Sequence, residues 1–424
     1  MTLFLLFTIF AVFAALMFTR KVPALLAVPA MAILTAIVVG LPLDAILNDI
    51  IGKGAVSLAP AFIDVFAGAM LGRVLMTTGI AEEIIKRAAE FGGDRPLVVA
   101  FVLMIATAVL FTTLTGLGAI IMVGSLVLPI MMSLGLNRKF VAVLFLLAFG
   151  TGFIFNLALW SVYRQVLQIE QIPAEGFYFA FGLLAIMAVA VVIYTIVSSR
   201  RFGDVALMAA QTKDELIKRD KAKSVPLISF ITPILPLILY IGFGWKALPA
   251  FIASAIFGVL ITQPRRAIQN LTASMVRGVE DGAPAAILMM GIGMLLNALK
   301  LPAVEAVLKP LVAALPLRYG WAYVLFFGLL SPLALYRGPL NIFGIGLGIF
   351  SLMFTAGLLP PLALLAAMMA TAQVQTTSDP TNTHNVWVAN YTGVRVEEIT
   401  KETLLPMILV CIGGLILGAL LFLR

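Results

Sequence analysis

Four polar interruptions break long apolar stretches of this sequence, and they hold the residue types that can bind an ion or a polar solute. They read FTTLTGLG at 111–118, GTG at 150–152 followed by Asn156, YRGPLN at 336–341, and QVQTTSDPTNTHN at 373–385. Thr, Ser and Asn supply neutral oxygens, glycine permits sharp turns, and Pro380 prevents a continuous helix. Broken helices of this kind expose N-terminal amides that attract anions and C-terminal carbonyls that attract cations.

The composition places these interruptions in a membrane. Apolar residues make up 62% of the 424 residues and charged residues only 11%, whereas a soluble protein is about a quarter charged. Apolar stretches of the length that a bilayer core of ~30 Å requires recur along the whole chain. We predict such segments at 3–19, 22–40, 60–78, 97–111, 117–134, 140–160, 177–198, 227–243, 247–262, 284–299, 320–335, 339–357, 361–390 and 404–423.

The basic residues indicate topology rather than nucleic-acid binding, although the net charge is +8. The loop 199–224 is rich in Lys and Arg, which predicts that it is cytoplasmic. If 97–134 and 320–357 are re-entrant hairpins, 19 basic residues fall inside and 7 outside. The outer set is predicted to include Arg164, whereas Asp64 and Arg73 lie on nearly opposite faces of one span and are expected to be scaffold residues.

The order of segments is the same in both halves of the chain, which predicts an internal repeat. Gly72 corresponds to Gly293, the turn near Thr113 to the turn near Arg337, and a helix break near Gly150 to one near Thr376. Because each half would cross the membrane an odd number of times, the second copy would be inverted. The alternative is a coincidence of hydropathy.

The predicted fold is therefore an all-α polytopic membrane protein made of two inverted repeats. Each repeat would contain five spans, an interfacial helix and a re-entrant hairpin. The domains would be 1–198 for the first repeat, 199–224 for a cytoplasmic linker and 225–424 for the second repeat.

Arg337 is the sharpest candidate for binding an anion. Arginine at membrane depth is costly, and its planar fork suits a carboxylate; the alternative is a side chain that extends to the outer surface. The first and third interruptions, taken alone, are also compatible with ordinary loops. The predicted substrate-binding residues are Thr112, Thr113, Thr115, Gly116, Asn156, Arg337, Gly338, Asn341, Thr377 and Asn382.

The fourth interruption is the candidate cation site, with a solvated loop as the alternative. Asp379 is its only acid and His384 is the only histidine of the chain, so both could couple transport to an ion. A single histidine argues against a histidine-based metal site, and the single cysteine excludes an internal disulfide and a thiolate metal cluster. The predicted cation-coupling residues are Gly150, Thr151, Thr376, Ser378, Asp379, Thr381 and His384.

The segments TTLTGLGA, AFGTGFIFN, YRGPLN and QTTSDPTNTHN, and the TGIAE at 78–82, resemble the ion transporter superfamily. That superfamily includes gluconate permeases, proton/citrate symporters, divalent-anion/sodium symporters and the large membrane subunit of TRAP systems. The Ser-Asn-Thr hairpin tips of the divalent-anion/sodium branch are absent, so no subfamily is assigned. The resemblance implies a homodimer of scaffold domains with a transport domain that moves as an elevator.

These observations together predict a secondary transporter, not an enzyme, in the cell inner membrane. It would carry a small organic anion such as a carboxylate together with H⁺ or Na⁺, and would need no cofactor besides a possible Na⁺. Two alternatives are a Na⁺/H⁺ antiporter and the membrane subunit of a multi-component carboxylate uptake system. The sequence does not choose among solutes or between the two ions, and nucleic acid is not an expected partner.

The predicted topology is testable by cysteine labelling at position 210. In a Cys411→Ala background, a cysteine at position 210 should resist a membrane-impermeant maleimide added from the periplasmic side, because the loop is predicted to be cytoplasmic. Labelling of intact cells would contradict the topology.

Overall fold

The described part of the chain is helical and contains no strand. The structure is a computed structural model that describes residues 2–19, 21–93, 95–202 and 225–423. Most of the predicted linker, 203–224, lies outside the described residues.

The first half holds eleven labelled helices, two of them very short. They are α1 (Thr2–Phe18), α2 (Ala24–Val38), α3 (Leu43–Ala45), α4 (Lys53–Val56), α5 (Ala59–Thr77), α6 (Ile80–Phe91), α7 (Pro96–Phe111), α8 (Gly116–Ser133), α9 (Arg138–Phe153), α10 (Leu157–Leu167) and α11 (Ala174–Phe202). A π-helix, Ile46–Gly52, joins α3 to α4.

The second half holds nine labelled helices in its described residues, with more irregular pieces between them. Its helices are α12 (Leu235–Leu237), α13 (Ala247–Thr262), α14 (Ala267–Leu299), α15 (Pro302–Ala313), α16 (Gly320–Leu330), α17 (Gly346–Thr355), α18 (Pro361–Ser378), α19 (Thr383–Thr392) and α20 (Val396–Phe422). Short 3₁₀ segments, Leu227–Ile231, Pro264–Arg266 and Ser331–Arg337, and a π-helix, Ile238–Gly242, complete the described elements.

Several helices are long and apolar enough to cross a membrane, as a multi-pass membrane protein requires. The described residues contain five such stretches, or six if the bent pair α9–α10 is one span. The five are Leu43–Thr77, Gly116–Ser133, Ala174–Ser199, Pro264–Leu299 and Val396–Phe422.

The helices form two packing groups. In the first, called here the α5–α14 group, α14 packs along α5, α2 and α4, and α13 packs on α5. In the second, the α18–α20 group, α20 packs along α18, α11 and α16, and α9 packs on α7. Helix α10 follows α9 in the chain and lies between the groups, in contact with α5 on one side and with α17 and α18 on the other.

The predicted segments at 97–111 and 117–134 are confirmed as two helices, α7 and α8, joined by a turn at 112–115 called tip 1. In the second half, α16 and its 3₁₀ continuation are joined to α17 through residues 335–345, called tip 2. Helix pairs α9–α10 and α18–α19 are interrupted at 154–156, break 1, and at 379–382, break 2. Break 1 bends the chain by 53°.

Three sequence predictions are corrected. The first broken helix does not break near Gly150, because Gly150 and Thr151 lie inside α9 and the break comes at 154–156. Similarly, Thr376 is helical and the second break begins at Asp379. Arg164 does not belong to an outer loop; it lies in α10 and is buried.

Other boundaries differ for identifiable reasons. The segment 227–243 is not a regular α-helix, because Pro226, Pro233 and Pro236 interrupt the backbone hydrogen-bonding pattern within and before it. Helix α14 begins 17 residues before the predicted segment 284–299 and contains Pro284 without ending there. The predicted linker begins inside α11, which continues to Phe202.

Close contact between α5 and α14 depends on glycine. A Cβ atom at Gly278 would lie 2.6 Å from the Met70 backbone nitrogen, and one at Gly282 would lie 2.7 Å from the Phe66 ring. No side chain fits between the helices at Gly278, so the helix axes can approach closely only with hydrogen there.

We expect Gly278→Ala to lower the thermal stability of the purified protein, because the added methyl group must push α14 away from α5. Overpacking of this kind costs about 1–3 kcal/mol. The matched control is Gly242→Ala, where an added Cβ meets no atom within 4 Å. Equal melting temperatures for the two variants would contradict the packing described here.

Candidate functional site

A cavity of about 560 Å³ lies where the two tips and the two breaks come together. The residues that line it include Thr115 of tip 1, Gly116 at the start of α8, Asn156 of break 1 and Arg337 of tip 2. Break 2 and the start of α19 contribute Pro380, Thr381, Asn382, Thr383 and His384. The four polar interruptions of the sequence therefore share one site.

Asn156 fastens tip 1 to break 1. Its side-chain amide donates to the carbonyls of Phe111, at 3.0 Å, and Leu114, at 3.1 Å. Its Oδ1 accepts from the Leu159 backbone N–H at 3.1 Å and so caps the N-terminus of α10. Asn156 is fully buried, and these bonds satisfy backbone groups that lipid could not satisfy.

Asp379 fastens tip 2 to break 2 in the corresponding way. Its Oδ1 accepts from the Tyr336 backbone N–H at 3.0 Å and from the Thr381 backbone N–H at 2.9 Å. The Thr381 hydroxyl donates to the same oxygen at 2.7 Å, and Asn341 Nδ2 donates to Oδ2 at 3.2 Å. The carboxylate is fully buried, and several charge-assisted hydrogen bonds offset its desolvation.

Two amide side chains complete the support of tip 2. Asn341 Nδ2 also donates to the Ala334 carbonyl at 2.7 Å, and its Oδ1 accepts from the Phe343 backbone N–H at 2.9 Å. Gln375 Oε1 accepts from the Ile342 backbone N–H at 2.8 Å. The tip is thus held by α18 and break 2.

Side chains that follow break 2 cap the C-terminal carbonyls of α18. Asn382 Nδ2 donates to Gln375 O at 2.6 Å, and His384 Nε2 donates to Thr376 O at 2.8 Å. Asn385 Nδ2 reaches Thr377 O at 3.2 Å, and the Thr400 hydroxyl reaches Ser378 O at 2.9 Å. The last four carbonyls of α18 are therefore all occupied by side-chain donors, and Gln375 O also accepts from the Asp379 backbone N–H at 3.3 Å.

Tip 2 adopts a strained backbone beside the cavity. Tyr336 and Arg337 have φ values of 55° and 58°, in the left-handed region. Each such non-glycine residue costs of order 1–3 kcal/mol and persists only when its surroundings hold it. The Asp379 bond to the Tyr336 N–H is one interaction that stabilises this conformation.

The Arg337 guanidinium is available to a ligand. It lines the cavity, and its hydrogen bond is a long one of 3.4 Å to the Phe343 carbonyl. Among the described residues, no carboxylate lies within ion-pairing distance of it. An arginine that lines a mostly apolar cavity and has no ion-pair partner among the described residues is therefore a candidate for binding an anion.

Other predicted residues lie behind the cavity wall. The Thr112 hydroxyl donates to the Val109 and Pro233 carbonyls, and the Thr113 hydroxyl donates to Leu110 O. The Thr151 hydroxyl bonds Leu147 O, whereas Gly150 packs on the Thr377 methyl group. The structure thus places Thr115, Gly116, Asn156, Arg337, Thr381, Asn382 and His384 on the cavity, and Thr112, Thr113, Gly150, Thr151, Gly338, Asn341, Thr376, Thr377, Ser378 and Asp379 behind it.

Sequence reasoning missed an ion pair at the cavity. Asp281 of α14 lines the cavity and accepts two hydrogen bonds of 2.5 Å from Arg73 of α5. Gly116 and Gly118 pack directly on Asp281, so the first turn of α8, which follows tip 1, rests on this pair. Arg73 is the sequence feature from which this pair could have been predicted, because an arginine within a span requires a partner.

The described residues contain no cluster of three or more His, Cys, Asp or Glu side chains that could hold a metal ion. Cys411 is buried and free.

The fold is similar to that of a solved transporter. The YdaH transporter of Alcanivorax borkumensis, whose crystal structure was described as having an unusual topology, matches with a TM-score of 0.60 at 15% sequence identity. The match covers 89% of this chain and 88% of that one. No protein-family profile and no curated protein sequence matches the chain. The similarity shows a shared fold.

We expect Asp379→Asn to loosen tip 2. The amide oxygen can replace Oδ1, but the amide nitrogen would face the Asn341 amide, and the charge that strengthens each bond is lost. A hydrogen bond to a charged group contributes roughly 1.5–3 kcal/mol. Backbone amides of 335–345 should therefore exchange with deuterium roughly tenfold to a hundredfold faster.

The matched control for this variant is Asp44→Asn. Asp44 is an exposed acid that also accepts a hydrogen bond from an asparagine, Asn48, at 3.0 Å. Unchanged protection of tip 2 in Asp379→Asn would show that the carboxylate does not hold the tip.

Proposed function

We propose that this protein is a secondary active transporter that binds a small organic anion, such as a carboxylate, in the cavity between the tips and breaks. The observation that carries the proposal is the Arg337 guanidinium, which lines the cavity without an ion-pair partner among the described residues. Its planar fork matches the two oxygens of a carboxylate.

Two helix N-termini support an anionic substrate. Helix α8 begins at Gly116 and helix α19 begins at Thr383, and both residues line the cavity. The positive end of a helix dipole and its free N–H groups favour negative charge. The Thr115 hydroxyl, buried and without a hydrogen-bond partner among the described residues, is a further donor for the substrate.

The arrangement of charges around the cavity, rather than their sum, also favours an anion at Arg337. Asp281 is neutralised by Arg73 through two hydrogen bonds, and Asp379 is buried behind the wall under four donors. Arg337 is left as the charge with free hydrogen-bonding capacity. A cation exchanger would gain nothing from a free guanidinium beside its ion, which weighs against the Na⁺/H⁺ antiporter.

The matching roles of Asn156 and Asp379 support the inverted repeat and the resemblance to the ion transporter superfamily. Each is the residue at which a helix breaks, and each bonds the tip of the hairpin in its own half. Under this proposal the two halves, 1–198 and 225–424, are related by a two-fold axis in the membrane plane.

The two packing groups support an elevator mechanism. The α18–α20 group, with both tips and both breaks, would carry the substrate across the membrane past a fixed α5–α14 group. The latter would form the homodimer in the cell inner membrane. A separate binding protein or small subunit would make this chain one part of a larger uptake system, and this remains the second alternative.

The coupling cation, H⁺ or Na⁺, is predicted to act at break 2. In the described conformation, donors already occupy the carbonyls of Gln375 to Ser378 and the Asp379 carboxylate. A cation there would replace these donors, so its binding would be linked to the position of tip 2. If Asp379 only holds the tip and takes no part in binding the cation, Asp379→Asn should abolish substrate exchange as well as concentrative uptake.

The proposal is tested by anion-dependent thermal stabilisation of purified protein. A panel of mono-, di- and tricarboxylates, screened with and without Na⁺, should include at least one that raises the melting temperature of the wild type. Arg337→Lys should lose most of that increase, because lysine keeps the charge but not the fork.

The control is Arg395→Lys, which alters an arginine paired with Glu398 at 2.7 Å and largely exposed. This variant should be stabilised like the wild type. Wild-type stabilisation of Arg337→Lys by the same carboxylate would remove Arg337 from the binding site.

A further inference from the structure

A second buried polar cluster lies between the two packing groups and away from the cavity lining. It consists of Asp64 on α5 and of Ser161 and Arg164 on α10. Arg164 Nη2 donates to Asp64 Oδ2 at 3.0 Å, and the Ser161 hydroxyl donates to the same oxygen. Both charged side chains are nearly inaccessible, with 10% of Arg164 and 7% of Asp64 exposed.

Arg164 has further polar partners within or just after its own helix, whereas Asp64 depends on partners from other helices. Arg164 also donates to Ser161 Oγ at 2.7 Å and to the Glu170 carbonyl at 2.7 Å, and both partners belong to α10 or the residues directly after it. Asp64 depends on α10 for Ser161 and Arg164 and is otherwise approached by the Leu248 backbone N–H of α13. If α10 left α5, Arg164 would keep polar partners, whereas Asp64 would lose two of three.

Aromatic residues enclose the cluster and make an unpaired charge costly there. Trp160, adjacent to Ser161, stacks on Phe177 at 5.4 Å and meets Tyr240 edge-on at 6.0 Å, measured between ring centroids. Tyr163 and Tyr240 are both buried. Removing one partner of a buried ion pair costs about 3–5 kcal/mol when the remaining charge persists.

We propose that Asp64 is a proton-binding site that couples proton uptake to the separation of α10 from α5. With α10 docked, Asp64 is ionised and accepts from Ser161 and Arg164. When α10 moves, Asp64 takes up one proton, because a neutral acid avoids the cost of an unpaired buried carboxylate. Arg164 stays charged throughout, since a guanidinium does not lose its proton in proteins.

This proposal rests on the proposed function, because it needs the motion of one packing group against the other. It adds a proton-binding site at a position separate from break 2, where the coupling cation is predicted to act. Helix α10 follows break 1 directly, and Asn156 of that break lines the cavity. A movement of α10 would therefore also move a residue of the substrate site.

Other titratable and charged groups lie on the elements that pack against α5 and α10. Helix α10 carries the charged side chain of Arg164, and the π-helix Ile238–Gly242 carries the phenol of Tyr240. Helix α14 carries Asp281, which is paired with Arg73 further along α5, and Glu280, which is exposed. Helix α6 contributes Glu83, paired with Arg87, helix α8 carries no charged residue, and Lys246 before α13 is exposed.

The test uses Trp160 as a reporter and needs no substrate. Trp245, Trp321 and Trp387 are changed to Phe, and the full chain is placed in lipid nanodiscs. Its emission maximum is then followed between about pH 5 and about pH 8, a range in which ordinary Tyr and Lys do not titrate. Trp160 should shift to longer wavelength as the pH falls, because α10 withdraws the indole from Phe177 and Tyr240.

Three variants decide the outcome. Asp64→Asn, which resembles the protonated acid, should show the long-wavelength emission at every pH. Ser161→Ala retains the acid but removes a donor, so the same transition should occur at less acidic pH. Asp49→Asn, an exposed acid paired with Lys53 at 2.7 Å, should behave like the unaltered reporter protein.

The proposal is overturned if the emission maximum of the reporter protein does not change with pH. It is also overturned if the emission maximum of Asp64→Asn changes with pH in the same way as that of the reporter protein. Because no anion is present, either result leaves the anion-binding role of Arg337 to be judged separately. Conversely, failure of every carboxylate to stabilise the protein would contradict the proposed function without affecting the fluorescence result.

Discussion

The hydrogen bonds of the buried Asp379 carboxylate are the interaction on which the candidate site most depends. They join the strained backbone of tip 2 to the break between α18 and α19. Without an acceptor at this point, the Tyr336 N–H would be buried without a partner, and two consecutive residues in the left-handed region would lack support. Arg337 follows Tyr336 directly, so the position of the guanidinium in the cavity depends on the same bonds.

Asn156 gives tip 1 an equivalent support without a charge. An amide suffices there because it both donates to two tip carbonyls and caps α10. Asp379 has only acceptors, and tip 2 correspondingly offers N–H groups. The two sites therefore solve the same problem, which is to satisfy free backbone groups inside a membrane protein, with opposite hydrogen-bonding roles.

Much of the fold could be predicted because a bilayer imposes simple rules on sequence. Apolar segment length predicted α7, α8 and α13 nearly to the residue, and each polar interruption contributes at least one residue to the cavity lining. The polarity of α14 before Pro284 concealed its true start, since charged residues such as Asp281 find partners only in the folded chain. Glycines inside α9 imitated a break, because glycine permits a turn without requiring one.

Long-range pairing was the part that sequence could not supply. Asp64 and Arg73 share one helix, yet their partners, Arg164 and Asp281, come from α10 and α14. Likewise, Thr112 and Thr113 read as binding residues but bond to nearby carbonyls, whereas the hydroxyl of Thr115 stays unpartnered at the cavity. Side-chain direction at a helix turn decides between these outcomes, and residue type does not reveal it.

The central claim is that Arg337, held in place by Asp379, binds the carboxylate of the substrate. The most direct measurement is an experimental structure of the protein in lipid nanodiscs with the most stabilising carboxylate bound. The claim predicts carboxylate density within hydrogen-bonding distance of the Arg337 guanidinium, with the Tyr336 N–H still bonded to Asp379. Carboxylate density elsewhere, with Arg337 directed out of the cavity, would contradict it.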